Sequence, residues 1–392
     1  MAESFLTTIE FQMSLLLFVA LGGYLLAARI NQSAVVGAIL VGLLMGPSVF
    51  GLITYTDFVA SVAHLGAIIL LFVVGLEFKF KDIFNYRYGI IALCGVIVPW
   101  VSGYFLARAF GFPFASAVFV GTALTATSIA ITANVLKEMG KLQTEPARAI
   151  IGAAVIDDVL SLLALAFSEQ IVSGTFSALS LSLIFVKAVL FLVLGAYIGI
   201  RFISPMLEKV DRSSIANRFP EFVFIFAMMI AFFYAMVAEL IHLSAIVGAF
   251  LAGVVLENVV VRHGKDYKEG AEYLHIIFAS IFFVSLGILA DVRALTFPIF
   301  IFLVVLTLVA VLSKVIGCYI PARLQRLSHN ESLIVGWGMS PRGEVAMIVA
   351  LLGLQAGLIG QDIYVTLVLM SLLTTLITPI ILRNWLYKRA SY

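Results

Sequence analysis

The stretch Ser33-Ala34-Val35-Val36-Gly37-Ala38-Ile39-Leu40-Val41-Gly42 occurs a second time, with small changes, as Ser244-Ala245-Ile246-Val247-Gly248-Ala249-Phe250-Leu251-Ala252-Gly253. Seven of the ten positions are identical at an offset of 211 residues. A glycine followed by an aliphatic residue, at Gly75 and again at Gly287, continues the match at nearly the same offset. Helices rich in Gly and Ala draw on few residue types, so chance similarity is the alternative to a true internal repeat.

Long apolar runs surround both copies of this stretch. The 392 residues are 62% hydrophobic and only 12% charged, whereas a soluble domain carries about 25% charged residues. This composition excludes a soluble protein and predicts an all-α polytopic membrane protein. Cys94 and Cys318 lie inside apolar runs and are interpreted as buried small side chains without a disulfide. Thirteen transmembrane helices are predicted, over residues 9–28, 34–53, 58–76, 88–110, 114–136, 147–172, 177–202, 219–241, 243–261, 271–290, 295–320, 332–357 and 362–386.

The distribution of basic residues gives a topology for these spans. Lys and Arg in the connecting segments, or at their edges, total 19 on one side and 2 on the other. Cytoplasmic segments carry the excess of basic residues, so the N-terminus is predicted outside and the C-terminus in the cytoplasm. The three remaining basic residues, Lys187, Lys314 and Arg342, lie within spans.

The two copies of the repeat are seven spans apart, which is an odd number. Equivalent helices therefore cross the membrane in opposite directions. This is an inverted-topology repeat, in which the substrate site of secondary transporters lies near the midplane. The predicted arrangement is six plus one plus six, with span seven as a linker.

Spans five and twelve are equivalent under this repeat, and both have sequences that disfavour a continuous helix. Span five contains the hydroxyl-rich stretch Thr125-Ala126-Thr127-Ser128, and span twelve contains Gly338-Met339-Ser340-Pro341-Arg342-Gly343. Proline removes a backbone donor and glycine lowers helix stability, whereas Thr and Ser hydroxyls can satisfy backbone groups freed by a break. Two crossing discontinuous helices are predicted. An ordinary helix is the alternative for span five.

Charged side chains are predicted at the same depth as these interruptions. Asp157 and Asp158 in span six lie roughly 14 Å from the cytoplasmic edge at 1.5 Å per residue, as does Lys314 in span eleven. Arg342 lies at similar depth. Ionisable residues at mid-membrane cost roughly 2.5–3.5 kcal/mol each and are functional candidates by default. A purely structural ion pair is the alternative for the acidic pair, and Arg342 and Glu344 are expected to compensate the half-helix ends.

Adjacent helical residues point about 100° apart, so Asp157 and Asp158 cannot share one partner equally. One carboxylate is expected to pair with Lys314 and the other to face a water-filled cavity. Burial raises the pKa of a carboxyl group and a nearby cation lowers it. A carboxylate that holds either a proton or a small cation, but not both, is the physical basis of antiport. The hydroxyls of Thr127 and Ser128 suit an alkali ion.

These residues resemble a known family. The chain is similar over essentially its full length to the cation:proton antiporter family 2, the NapA-like and Kef-like bacterial exchangers. The resemblance is carried by a threonine-rich span, an acidic-pair motif, a lysine and a Pro-Arg-Gly-Glu motif, at Thr125–Ala133, Gly152–Val159, Lys314 and Pro341–Glu344. It implies that Asp158 carries Na⁺ and H⁺, with Thr127 and Ser128 lining the site. It further implies that Asp157 exchanges its salt bridge with Lys314 during an electrogenic cycle.

The resemblance also implies a domain organisation and a cellular setting. Residues 1–76 and 219–290 would form scaffold and dimerisation helices, residues 88–172 and 295–388 a mobile ion-transporting core, and 177–202 the linker. The protein would be a homodimer in the lipid of the prokaryotic cytoplasmic membrane. It would exchange Na⁺, with Li⁺ or K⁺ as further candidates, for H⁺ in pH homeostasis. It would need no cofactor, bind no nucleic acid and catalyse no covalent reaction.

Three other classes of function are alternatives for a chain with these features. A sodium-coupled organic-anion symporter on the same scaffold needs donors for the anion, and Arg342 is the only candidate donor. An intramembrane aspartyl protease needs two carboxyl groups on facing helices, whereas Asp157 and Asp158 are neighbours on one helix. A selective channel usually needs a filter built from rings of repeated subunits.

Overall fold

The computed structural model describes residues 8–77, 86–175, 177–260, 267–289, 293 and 296–387. Within these residues the regular structure is helical and contains no strand. The α-helices are α1 Ile9–Ile30, α2 Ala34–Met45, α3 Asp57–Gly75, α4 Tyr86–Ala109, α5 Phe114–Ala123, α6 Ile129–Glu138, α7 Glu145–Ser173, α8 Ala178–Ile198, α9 Ser204–Asp211, α10 Ser214–Arg218, α11 Glu221–Leu240, α12 Ala245–Leu256, α13 Tyr267–Ile288, α14 Phe297–Leu324, α15 His329–Gly338, α16 Glu344–Gln355 and α17 Gln361–Ile381. A π-helical turn, Gly199–Ile203, joins α8 to α9, and another, Leu382–Leu386, follows α17.

Nine helical segments in the described part of the chain are long and apolar enough to cross a membrane. Four shorter apolar segments accompany them, at Ala34–Met45, Phe114–Ala123, Ala245–Leu256 and Val345–Leu354. A helix of 12 residues rises about 18 Å, which is less than a hydrocarbon core of about 30 Å. The helices therefore do not map one to one onto the thirteen predicted spans.

Several helix boundaries differ from the predicted spans. The predicted span 34–53 gives a helix that ends at Met45, because Gly46 and Pro47 follow and a residue before proline avoids helical geometry. The predicted span 243–261 gives a helix that ends at Leu256. The predicted linker 177–202 continues through a π-helical turn as far as Asp211.

The two interruptions lie where the sequence predicts them. The predicted span 114–136 is divided into α5 and α6, which are separated by residues 124–128. The predicted span 332–357 is divided into α15 and α16, separated by residues 339–343. The N-terminus of α15 is fixed by a capping box between Ser328 and Glu331.

The chain divides into two compact units. The first contains residues 1–60, 85–181 and 283–392, and the second contains residues 61–84 and 182–282. The long helices α4, α7 and α14 and all four half-helices belong to the first unit. The second unit contains α11 and α12 entirely, together with most of α3, α8 and α13.

Glycines from the internal repeat allow close helix packing in each unit. In the first unit, a Cβ atom on Gly42 of α2 would collide with the carbonyl of Val284, and one on Gly287 of α13 would collide with that of Ile39. In the second unit, a Cβ atom on Gly75 of α3 would collide with the carbonyl of Phe250. A Cβ atom on Gly253 of α12 would likewise collide with the carbonyl of Phe72. Small residues at such crossings let two helix backbones touch.

Candidate functional site

A buried ion pair occupies the middle of the first unit. Lys314 Nζ on α14 lies 2.8 Å from Asp157 Oδ1 on α7, and both side chains are at most 1% exposed. The other carboxylate oxygen, Oδ2, is buried and accepts no hydrogen bond from the described residues. Of the two candidates for a partner of Lys314, the structure therefore brings Asp157 into contact with the lysine.

Two cations lie at the C-terminal ends of the half-helices. Lys314 Nζ donates to the carbonyl of Thr125, just past the end of α5, at 2.7 Å. The guanidinium of Arg342 donates to the carbonyls of Met339 and Ser340, just past the end of α15, at 3.4 and 3.1 Å. Positive charge at a helix C-terminus offsets the partial negative charge of its carbonyl groups. Arg342 therefore acts here as an internal cap.

The guanidinium of Arg342 also contacts α14. A second nitrogen of its guanidinium, Nη2, donates to the carbonyl of Ala310 on α14 at 3.3 Å. Ala310 is one helical turn from Lys314 on α14. The contact made by Arg342 and the side chain of Lys314 therefore come from neighbouring turns of the same helix. The side chain of Arg342 is completely buried.

The two interrupted segments are tied to each other directly. The Ser128 amide donates to the carbonyl of Pro341 at 2.8 Å. The Thr127 hydroxyl donates to the carbonyl of Met339 at 3.2 Å, and the Thr132 hydroxyl donates to that of Gly338. These bonds satisfy backbone carbonyls that the break in the second helix leaves without an intrahelical donor.

The hydroxyl of Ser128 has a different environment. Its Oγ is buried and makes no hydrogen bond to the residues that the structure describes. Gly343 lies against it, and a Cβ atom at that position would be 2.6 Å from Ser128 Oγ. An oxygen with free lone pairs at the crossing of two broken helices is suited to coordinate a cation.

Asp158 and Glu344 complete the set of predicted residues. Asp158 follows Asp157 on α7 and is less buried than Asp157. Glu344 is the first residue of α16, which begins at the second break. Its side chain lies outside the described residues, and its predicted role in charge compensation stays a prediction.

Two threonines on α17 belong to this site and were not predicted from the sequence. Thr374 Oγ1 accepts from the amide of Arg342 at 3.1 Å, and Thr375 Oγ1 donates to its carbonyl at 2.8 Å. Both side chains are buried. The signal was present in the sequence, because the apolar span carries four hydroxyl side chains along one helical face, at Ser371, Thr374, Thr375 and Thr378.

Residues 15–388 match the model of a family described as sodium/hydrogen exchanger, transmembrane. The chain belongs to the sodium/hydrogen exchanger family. The resemblance inferred from the motifs is thereby confirmed.

Curated members of this exchanger family are similar over nearly their whole length. The chain is 34% identical to the Na⁺/H⁺-K⁺ antiporter GerN of Bacillus cereus, with 91% of each chain covered. It is 35% identical to a Na⁺/H⁺ antiporter of Enterococcus hirae, with 93% of this chain and 94% of that one covered. These relatives are transporters, and their names support cation/proton antiport for this exchanger.

A solved structure shares the fold. The sodium/proton antiporter MjNhaP1 of Methanocaldococcus jannaschii superposes with a TM-score of 0.71, covering 97% of this chain and 96% of that chain. The identity is 17%, so this likeness concerns the fold alone. The chain is thus an integral membrane transporter of the exchanger family with a helical fold known from an antiporter.

Proposed function

We propose that this protein exchanges Na⁺ for H⁺ across the membrane at a single site centred on Asp158. The observation that carries the proposal is the buried pair of Asp157 and Lys314, placed beside the crossing of the two interrupted helices. Buried ion pairs are poor stabilisers compared with apolar packing, so their retention in a transporter argues for a role in transport.

Exchange follows from competition for one carboxylate. Asp158 binds either H⁺ or Na⁺, because the two cations neutralise the same negative charge. Thr127 and the free hydroxyl of Ser128 are the proposed additional Na⁺ ligands, as oxygen donors suit a hard cation. Asp157 and Lys314 form a charged pair beside this site. If ion binding separates the pair, the ammonium of Lys314 would release a further proton. The exchange is therefore proposed to be electrogenic.

Alternating access is proposed to move the interrupted helices as one body. The bonds from Thr127, Ser128 and Thr132 to the second broken helix, and those from Thr374 and Thr375 to Arg342, make this group of elements mechanically continuous. An elevator-like movement of a core built from residues 88–172 and 295–388 would carry the site across the membrane. Residues 1–76 and 219–290 would form the scaffold, and 177–202 would link the two.

The larger architecture is proposed from the repeat and from the charges. We retain thirteen membrane segments arranged as six plus one plus six, with the N-terminus outside and the C-terminus in the cytoplasm. The matching glycine contacts in the two units support the repeat. The protein is proposed to be a homodimer in a prokaryotic cytoplasmic membrane that serves pH homeostasis.

The organic-anion symporter is the weaker candidate. It would require a cationic donor available to a carboxylate substrate. Arg342 is completely buried, and both terminal nitrogens of its guanidinium donate to backbone carbonyls. These contacts favour a structural role for this cation.

The experiment is transport in proteoliposomes that contain a pH-sensitive dye. NaCl, KCl, LiCl or choline chloride is added outside, with and without a clamped membrane potential. We expect proton movement with Na⁺ and none with choline, and we expect its rate to respond to the clamp because net charge moves. A lack of response to every alkali cation, in liposomes shown to be tight, would overturn the proposal.

A further inference from the structure

Lys187 is the one basic residue within a predicted span that the exchange site does not use. It lies on α8 in the second unit and is exposed. Its neighbours along the exposed face of the helix are the large apolar side chains of Leu183, Val186 and Leu190. The lysine makes no ion pair with any residue that the structure describes. An unpaired ammonium on an apolar, membrane-facing helix needs an anion or access to the interface.

Beside Lys187 an elongated groove of about 360 Å³ runs between α8 and α11. Among the residues that line the groove, Lys187 carries the only charge. Gly195 and Tyr234 both line the groove, and the hydroxyl of Tyr234 donates to the carbonyl of Gly195 at 2.8 Å. The groove is lined by Lys187, Leu190, Phe191, Leu194, Gly195, Ile198, Ile203, Phe233, Tyr234, Val237 and Ile241.

The charged end of the groove lies at the level of a helix end. Ile241 follows the last residue of α11 and lines the groove together with Lys187. At this end of α11, the half-exposed carboxylate of Glu239 lies 3.3 Å from Nε2 of His64. Charged side chains that cluster at a helix end mark the polar interface of the membrane. The ammonium of Lys187 is therefore placed nearer the lipid headgroups than the predicted span 177–202, which begins ten residues before it, implies.

The length of the groove matches one leaflet of a bilayer. From Lys187 to Ile198 the helix rises about 16 Å at 1.5 Å per residue, whereas the hydrocarbon core is about 30 Å thick. Leu190, Leu194, Ile198 and Phe233 are all more than 40% exposed along this length. An apolar channel half a membrane deep, with a cation at its interfacial end, has the shape and charge of a site for one acyl chain under an anionic headgroup.

We propose that this groove is a binding site for an anionic glycerophospholipid of the leaflet on the side of the N-terminus of α8. One acyl chain lies between α8 and α11, and the ammonium of Lys187 pairs with the headgroup phosphate. The proposal depends on the membrane-spanning character of the helices and is independent of the exchange reaction.

The test is native mass spectrometry of the purified full-length protein, with added phosphatidylglycerol or phosphatidylcholine of identical acyl chains. The charge variant is Lys187→Gln, with Lys187→Arg as the variant that keeps the charge and Lys209→Gln as the control on the adjoining helix α9. The groove variant is Leu190→Trp, which fills the channel. Its control is Leu183→Trp, which places the same ring on the exposed face outside the groove.

We expect the unaltered protein to prefer phosphatidylglycerol about fivefold, since one basic residue near an anionic surface contributes about 1 kcal/mol. Lys187→Gln should remove this preference and Lys187→Arg should keep it. Leu190→Trp should weaken the binding of both lipids. The two controls, Lys209→Gln and Leu183→Trp, should bind both lipids as the unaltered protein does. Undiminished preference in Lys187→Gln, or undiminished binding in Leu190→Trp, would overturn the proposal. Conversion of a dimer to a monomer by Leu190→Trp would also overturn it, because the groove would then be a contact between subunits.

Discussion

At the scale of single residues, the site is organised by buried charges. An isolated Lys or Asp at mid-membrane costs roughly 2.5–3.5 kcal/mol, so Asp157 and Lys314 are each tolerated because the other is 2.8 Å away. Lys314 also caps α5 through the carbonyl of Thr125. Asp158 follows on the same helix but points about 100° away from Asp157. This difference in direction would allow the neighbouring carboxylates to serve the different tasks proposed for them.

Removing the proposed carrier charge tests the assignment of Asp158. Asp158→Asn keeps the size of the side chain but removes the charge for which H⁺ and Na⁺ compete. We expect Na⁺-dependent proton movement in proteoliposomes to fall to the level of empty liposomes, with a normal monodisperse elution profile. Asp362→Asn, an exposed carboxylate in the first turn of α17, is the matched control and should exchange normally. Retained exchange in Asp158→Asn would move the site elsewhere.

Breaking the buried pair of Asp157 and Lys314 should lower the stability of the protein. Lys314→Gln leaves the Asp157 carboxylate buried without its cation, and such a loss costs about 3–5 kcal/mol. We expect a clear drop in the thermal unfolding midpoint in detergent. Lys209→Gln, which removes an exposed lysine, should leave the midpoint unchanged.

The double variant Asp157→Asn with Lys314→Gln makes this a thermodynamic cycle. If the two charges stabilise each other, the double variant is more stable than the sum of the single changes implies. Additive single effects would show that the contact contributes no coupling energy, and the proposed exchange of this salt bridge during transport would fail.

At the scale of helices, the interrupted segments are stable only because other elements bond to their free backbone groups. Two crossing half-helix pairs expose carbonyls and amides that no intrahelical partner satisfies. Thr127 and Thr132 supply donors from one broken helix to the other. Thr374 and Thr375 of α17 hold Arg342 by its amide and its carbonyl. The position of the guanidinium therefore depends on a helix that contributes no predicted ion ligand.

The contribution of α17 can be measured with Thr375→Val. The variant is close in shape but leaves the buried carbonyl of Arg342 without its donor, which costs about 1–3 kcal/mol. We expect a lower unfolding midpoint and a raised KM for Na⁺, since the break segment next to Ser128 loosens. Thr375→Ser keeps the hydroxyl and should restore both values.

The matched control for this prediction is Thr366→Val on the same helix. The hydroxyl of Thr366 is buried and, among the residues that the structure describes, bonds only to the carbonyl of Asp362 in its own helix, at 2.8 Å. Its loss should leave the KM for Na⁺ unchanged. Equal changes in KM for Thr366→Val and Thr375→Val would show that the bond to Arg342 has no special effect on the site.

At the scale of the whole molecule, glycines in and after the two similar sequence stretches make matching helix contacts, one in each unit. The contact between Gly42 on α2 and Gly287 on α13 in the first unit has its counterpart in the second, between Gly253 on α12 and Gly75 on α3. At each crossing, one helix comes from the N-terminal half of the chain and the other from the C-terminal half. A Cβ atom at any of the four positions would strike a backbone carbonyl, which no rotamer change relieves.

Labelling of introduced cysteines tests the proposed topology. In a background with Cys94→Ala and Cys318→Ala, Thr54→Cys lies in a segment without basic residues and Lys209→Cys in a basic segment. An impermeant maleimide added to intact spheroplasts should label Thr54→Cys, because positive segments stay in the cytoplasm. Lys209→Cys should be labelled only after permeabilisation. Labelling of both from one side would contradict the five spans predicted between the two positions, and the reverse pattern would contradict an N-terminus outside.

The parts of the fold that depend on local chemistry were predictable from the sequence. The breaks at residues 124–128 and 339–343 follow from hydroxyl-rich and Gly/Pro-rich stretches, and both are present. Helix lengths were less predictable. Hydropathy extends the second span to residue 53, but Gly46 and Pro47 end the helix at Met45. Averaged hydropathy does not register the backbone geometry that terminates a helix.

By itself, the sequence determined the membrane class and the interrupted helices, because these depend on composition and on local spacing, and it indicated the family through its motifs. It also predicts the depth of the charged residues from spacing along one helix. Only the tertiary structure decided which partners meet. It pairs Lys314 with Asp157, aims Arg342 at the end of α15 and brings Thr374 and Thr375 to the break. The physical reason is that depth is set by distance along the chain, whereas contact depends on how the helices rotate and pack against one another.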